Sequence, residues 1–268
     1  MTANRKLATS LLLISILATG LPARAQSAAP MGIVVMHGKG GGPNGLVKNL
    51  ADGLENRGYH VANLEMPWSR RREYDTDVTS AEREVDEALA KLRSAGAVKL
   101  FVAGHSQGAV FALHYASKHP LDGLIIIAPG GNVGTRFYQR QVGASVSRAR
   151  DLVAAGKGDE RGEFDEYEGR AGTTTVHTTA AIYLTWFDPD GAMNQWKSSA
   201  ALPASLPVLD VAPTSDYPAL LRAKREMFNA LPSNPLTKLY EPEATHRSAP
   251  TASLDEIVRW TAEIAAHK

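Results

Sequence analysis

Gly104-His105-Ser106-Gln107-Gly108 fits the pattern G-x-S-x-G and constrains this chain more than any other feature. A serine carried on a sharp strand-to-helix turn has a strained backbone, and residues two places to either side must lack bulk or they collide. The flanks supply the two elements that such a turn joins. Val98-Lys99-Leu100-Phe101-Val102-Ala103 is an apolar run of strand length, and Val110, Phe111, Leu113, His114 and Tyr115 follow Gly108 without a helix breaker. The spacing predicts a buried strand, a turn at Ser106 and a helix running on to Lys118.

Further runs of the same two kinds alternate along the chain, the signature of a mostly parallel sheet with helices on both faces. Gly32-Ile33-Val34-Val35-Met36 is continuously apolar, as a central strand covered on both sides must be. Leu46, Val47, Leu50 and Leu54 then recur at helical spacing, and residues 59–66 form a second candidate strand ending at Pro67. Thr79 and Glu82 stand as a capping box before the apolar stripe Val85, Ala88, Leu89 and Leu92. Leu124-Ile125-Ile126-Ile127-Ala128 and Pro207-Val208-Leu209-Asp210-Val211 are the next strands, with a helix near residues 219–231 and a last strand at Lys238-Leu239-Tyr240. A closing helix carries Leu254, Ile257, Val258, Thr261 and Ile264 on one face, with Ser253 and Glu256 as its capping box.

One stretch breaks the rhythm. Residues 131–204 are too long for a simple crossover, and residues 156–172 are rich in glycine and charge. The expectation is a partly helical lid inserted over the C-terminal edge of the sheet. Tyr183, Trp186, Phe187 and Trp196 either serve that lid or simply dock the insertion on the domain.

The charge balance names no partner. The formal net charge of the chain is +1, and its one basic cluster, Arg70-Arg71-Arg72, is followed by Glu73, Asp75 and Asp77, so it reads as a solvated loop and not as a nucleic-acid surface. The first 25 residues read as a cleaved signal peptide: Arg5 and Lys6 precede an apolar run, and Ala23-Arg24-Ala25 fits the cleavage pattern. The run is too short and interrupted for a stable membrane anchor. With no cysteine in the sequence, disulfides, cysteine-linked lipids and thiolate metal sites are all excluded, and the fold has to rest on its core. A bacterial periplasmic or secreted enzyme with one domain over residues 26–268 fits these features, and the number of copies in the assembly stays open.

These motifs and their order resemble the α/β-hydrolase family, in a minimal serine esterase- or lipase-like form that lacks the leading antiparallel strands of larger members. The resemblance covers nearly all of residues 31–268. It implies a nucleophile on the elbow, an acid after a later strand and a histidine after the last strand. Ser106, Asp216 and His246 stand in that order. A hydroxyl barely ionises at neutral pH and needs a base, and of the eight histidines His246 alone sits between the last strand and the last helix. His60, His105, His114 and His119 read as structural. Asp216, in Thr214-Ser215-Asp216-Tyr217-Pro218, would orient the imidazole. Its rival Asp210, inside a strand, reads as a paired polar group, and Asp188 and Asp190 as parts of a turn. The negative oxygen of the intermediate needs preorganised donors. The N–H of Gln107 is one, and His37-Gly38-Lys39-Gly40-Gly41-Gly42 resembles the family's oxyanion loop, with Lys39 the first choice and Gly38 the second. A phosphate-loop reading of these glycines fails for want of a Gly-Lys-Ser/Thr ending.

The function that follows is hydrolysis of carboxylic esters through an acyl-enzyme, with no cofactor and no metal. The substrate expected is a soluble or modestly apolar small-molecule ester, with Trp68, Trp186 and Trp196 as candidate pocket walls. A peptidase or amidase would use the same residues, and a cofactor-free haloperoxidase or a binding protein that kept the fold without catalysis are further alternatives.

Overall fold

β1 (Met31–Met36) is buried at every position because it has a strand on each side and helices above and below. A computed structural model describes residues 30–169 and 172–267, and the signal-peptide expectation for residues 1–25 lies outside them. β1 pairs in parallel with β2 (His60–Leu64) and β3 (Lys99–His105), and β4 (Gly123–Ile127), β7 (Val208–Val211) and β8 (Lys238–Tyr240) continue the sheet. Its order is β2-β1-β3-β4-β7-β8, and each of these pairings is parallel. Parallel neighbours require crossovers, which is why helices cover both faces. α1 (Lys48–Glu55) and α9 (Leu254–Ala266) cover one face, where Leu50, Leu54, Ile257 and Trp260 pack on Ile33, Phe101 and Ile125. α2 (Val78–Ser94) and α3 (Gln107–Ala116) cover the other, through Val85, Leu89, Val110 and Phe111. Among the described residues no helix is long and apolar enough to cross a membrane.

Two expected caps differ. Asp77, not Thr79, caps α2 by accepting the Ser80 N–H at 2.7 Å. Glu82 is instead buried and accepts from His114 at 2.6 Å and Lys118 at 2.7 Å. Ser253 makes no side-chain cap; its hydroxyl donates to the Pro250 carbonyl at 2.9 Å while the chain passes from α8 (Ala249–Ala252) straight into α9. Glu256 pairs with Lys238 at 2.5 Å across the sheet edge. Leu46 stands outside α1 and is exposed.

The insertion is ordered into α4 (Arg136–Ala154), an antiparallel hairpin of β5 (Arg161–Tyr167) and β6 (Thr173–Thr179), α5 (Ala180–Phe187) and α6 (Gln195–Ala200). The charged, glycine-rich middle is therefore largely the hairpin, with alternating exposure along both strands. Its aromatics dock it. Tyr183, Trp186 and Phe187 are buried in the same apolar cluster as Val85 and Phe111, and Trp186 Nε1–H donates to the Thr76 carbonyl at 2.8 Å.

Candidate active site

The G-x-S-x-G turn joins β3 to α3 with Ser106 at φ 55°, a left-handed conformation that side chains resist. The glycines are there for space. A Cβ on Gly104 would lie 2.1 Å from the Gly108 carbonyl oxygen, and one on Gly108 would lie 2.6 Å from that of His37. Gln107 opens α3, so its N–H has no partner within the helix.

Ser106 Oγ–H donates to His246 Nε2 at 3.0 Å, and His246 Nδ1–H donates to Asp216 Oδ1 at 2.8 Å. The Tyr217 N–H adds a second bond to the same carboxylate oxygen at 2.6 Å. Three stretches far apart in sequence thus meet in one hydrogen-bonded row, and the sheet explains how. Beyond β7 and β8 the chains keep running side by side: the Ala212 N–H donates to Tyr240, Thr214 to Pro242 and Ser215 to Ala244, at 2.8, 3.0 and 3.0 Å. Asp216 and His246 follow directly. The Tyr217 ring lies over the imidazole, 4.5 Å between centroids.

His105 points away from Ser106 and donates through Nε2–H to the His246 carbonyl at 2.9 Å. Burial pushes it down to about 4, so it is neutral. His114 and His119 face Glu82 and Asp86, and His60 begins β2. Asp190 N–H donates to Asp188 Oδ1 at 2.9 Å, in the turn expected there. Asp210 departs from expectation. It is buried, but its Oδ1 has no partner among the described residues, and burial with a further push from Glu241 raises its carboxyl to about 7.

The glycine loop after β1 lies against the serine: a Cβ on Gly38 would sit 3.0 Å from Ser106 Cβ. His37 bolts the loop down. Its Nδ1–H donates to the Gly38 carbonyl at 2.8 Å while Nε2 accepts from the Met66 N–H at 3.0 Å. The Gly40 N–H donates to Trp68 at 2.9 Å, and among the described residues the Lys39 N–H has no backbone acceptor. The Lys39 side chain reaches the insertion, donating to the Tyr167 carbonyl at 2.5 Å. A small hollow of about 20 Å³, room for little more than a water, lies beside the row, lined by Ala128, Pro129, Asp210, Asp216, Leu220 and Met227 among others. A methyl on Gly130 would be 3.6 Å from both Leu220 Cδ1 and Ser106 Oγ, so Leu220 faces the serine across that glycine.

Two expected pocket walls are corrected. Trp68 and Trp186 are 2% and 1% exposed and offer a substrate no surface. Trp68 Nε1–H donates to the His37 carbonyl at 2.8 Å, and the two indoles pack edge to face at 5.6 Å, because this apolar layer supports the glycine loop from beneath. Trp196 is half-buried on α6. Two residues near the site went unnoticed in the sequence, Tyr74 and Glu166. The signal for Glu166 was a carboxylate in phase with Phe164 on an alternating strand.

The family model for serine aminopeptidase, S33, matches residues 28–158, a span that holds the glycine loop and the elbow and stops before Asp216 and His246. No curated protein matches the sequence. Among solved structures, a thermostable carboxyl esterase from Bacillus coagulans is similar at 16% identity and a TM-score of 0.62, over 88% of this chain and 91% of that one. A monoacylglycerol lipase from Paleococcus ferrophilus is similar at 20% identity and a TM-score of 0.58, over 88% and 95%. A soluble variant of the Saccharomyces cerevisiae monoglyceride lipase shares 16% identity at a TM-score of 0.56, over 91% and 90%. The chain has the α/β-hydrolase fold, with a six-stranded parallel sheet and an inserted subdomain.

Proposed function

We propose that this protein is a serine hydrolase that cleaves carboxylic esters of small molecules through an acyl-enzyme. The observation that carries the reading is the row Ser106–His246–Asp216, at 3.0 and 2.8 Å. Ser106 attacks the ester carbonyl as His246 Nε2 takes its proton. Asp216 keeps Nδ1 protonated and stabilises the imidazolium. The oxyanion forms against the N–H groups of Gln107 and Lys39, with Gly38 the next candidate. His246 then protonates the departing alcohol, and a water activated by the same imidazole releases the acid. Leu220, which faces the serine across Gly130, suits an apolar part of the ester. Residues 1–25 would direct the protein to the periplasm or the medium.

The test is Ser106→Ala against wild type, on a short p-nitrophenyl ester and a fluorophosphonate probe. Turnover and labelling should both vanish; labelling retained by the variant would refute the nucleophile. One observation favours a second reading, peptide hydrolysis by the same residues: the name of the family model over residues 28–158. Aminoacyl anilides assayed beside the esters separate the two.

A further inference from the structure

Next to the row runs a second polar chain that the proposed reaction does not use. It begins on β5, where alternation turns Phe164 and Glu166 inward. An inward position normally carries an apolar side chain; here a carboxyl only 6% exposed occupies it. Glu166 Oε1 accepts from Lys39 Nζ at 3.2 Å and from the Tyr74 hydroxyl. Tyr74 Oη in turn accepts from Gln107 Nε2 at 2.9 Å. One carboxyl therefore reaches both residues whose main-chain N–H groups would meet the oxyanion.

The direction of these bonds is fixed by chemistry. An ammonium and a carboxamide N–H can only donate, so the phenol must relay, accepting from Gln107 and donating to Glu166. Burial, reinforced by Glu166, holds the Tyr74 phenol well above its ordinary range, so its proton stays in place. Burial also pushes the Glu166 carboxyl up, against the pull of Lys39.

Tyr74 is held there at a conformational cost. Glu73 and Tyr74 are consecutive non-glycine residues at φ 45° and 54°. The Thr178 hydroxyl of the insertion donates to the Tyr74 carbonyl at 2.8 Å, and Trp186 and Phe187 pack on its ring at 5.8 and 5.2 Å. Strain persists only where surroundings over-determine a conformation, and here they aim one phenol between the nucleophile helix and the insertion.

We propose that Glu166 is a positioning residue of the oxyanion site: it holds Lys39 directly and Gln107 through Tyr74, and so sets the spacing of the two main-chain donors. The proposal rests on the serine-hydrolase reading above and gives the insertion a part in the chemistry. Donors must meet the oxyanion to within a few tenths of an ångström, so a tie of this kind affects the transition state more than the bound substrate.

The experiment compares wild type, Glu166→Ala, Glu166→Gln and Tyr74→Phe on a p-nitrophenyl ester, with kcat counted per site titrated by a fluorophosphonate. Affinity for a trifluoromethyl ketone, whose adduct places an oxyanion against the same donors, is measured alongside. Glu166→Ala should lose about 10- to 100-fold in kcat with KM changed less than about twofold, short of the loss of a whole donor. Ketone affinity should fall in parallel. Glu166→Gln keeps an acceptor oxygen and should recover most of the loss; Tyr74→Phe, which cuts one arm, should fall between. If titrated sites of Glu166→Gln and Tyr74→Phe, and of Glu166→Ala where it folds, turn over within twofold of wild type, the proposal is overturned and the network only ties the insertion down. A rise in KM at constant kcat overturns it too. A folded wild type that neither labels nor hydrolyses esters removes the serine-hydrolase reading itself, and this inference with it.

Discussion

His105 donates through Nε2 to the main-chain carbonyl of His246 at 2.9 Å, so the residue ahead of the nucleophile holds the loop that carries the base. The two rings lie 5.0 Å apart, and His105 Nδ1 is buried without a partner among the described residues. Elbow and base loop are thus joined twice, once through the reacting side chains and once through this bond behind them.

His105→Ala should cost about 1–3 kcal/mol in urea denaturation by stranding a buried carbonyl, and at least about tenfold in kcat by loosening the imidazole. His105→Gln, whose amide can reach the same oxygen, should recover part of both. The folded value near 4 lies below the 6.5 of a free imidazole, so on acidification the unfolded chain takes up the extra proton. The stability that this group contributes is whole above about 6.5 and is lost as pH falls towards about 4. The glutamine variant should show a flatter stability profile across that window.

Trp186 and Trp196 should separate cleanly. Trp186→Ala empties a fully buried indole site and should cost about 3–5 kcal/mol, with faster proteolysis inside residues 131–204. Trp196→Ala, at a half-buried position, should cost less than about 2 kcal/mol. Equal losses at the two positions would contradict the docking described for the insertion.

Asp210 should give the opposite pH signature to His105. Its folded value near 7 lies above the unfolded 3.8, so the folded protein keeps the proton that the unfolded chain gives up. Stability from this group is full below about 3.8 and is lost as pH rises through about 7. Asp210→Asn mimics the protonated form at every pH. Whatever constant offset the amide adds, its stability relative to wild type should increase by at least about 1 kcal/mol between pH 4 and pH 8. Thermal melts at the two pH values measure it.

The sheet was legible because a strand buried on both faces must be apolar throughout, and β1 and β4 are. The elbow was legible because sterics at Gly104 and Gly108 leave a written trace. The two misread caps share one cause. Glu82 and Glu256 have the local spacing of a capping box, but neither carboxylate turns back to its cap: Glu82 serves His114 and Lys118, distant in sequence, and Glu256 serves Lys238 across the sheet edge and Arg259 one turn further along its helix. Capping-box spacing carries no information about such partners. Trp68 and Trp186 were misplaced for a related reason: a large aromatic near a motif reads the same whether it faces a ligand or a neighbouring indole. Tyr74 left no trace, since two left-handed residues in succession have no signature when neither is glycine.

Ser106 follows β3, near the middle of the sheet, whereas Asp216 follows β7, the last strand but one, and His246 follows β8, the edge strand, which is only three residues long. The nucleophile is anchored deep while its two helpers share a short, peripheral mount. Any slackening of that border would withdraw acid and base as a unit, leaving the serine in place and without its proton acceptor.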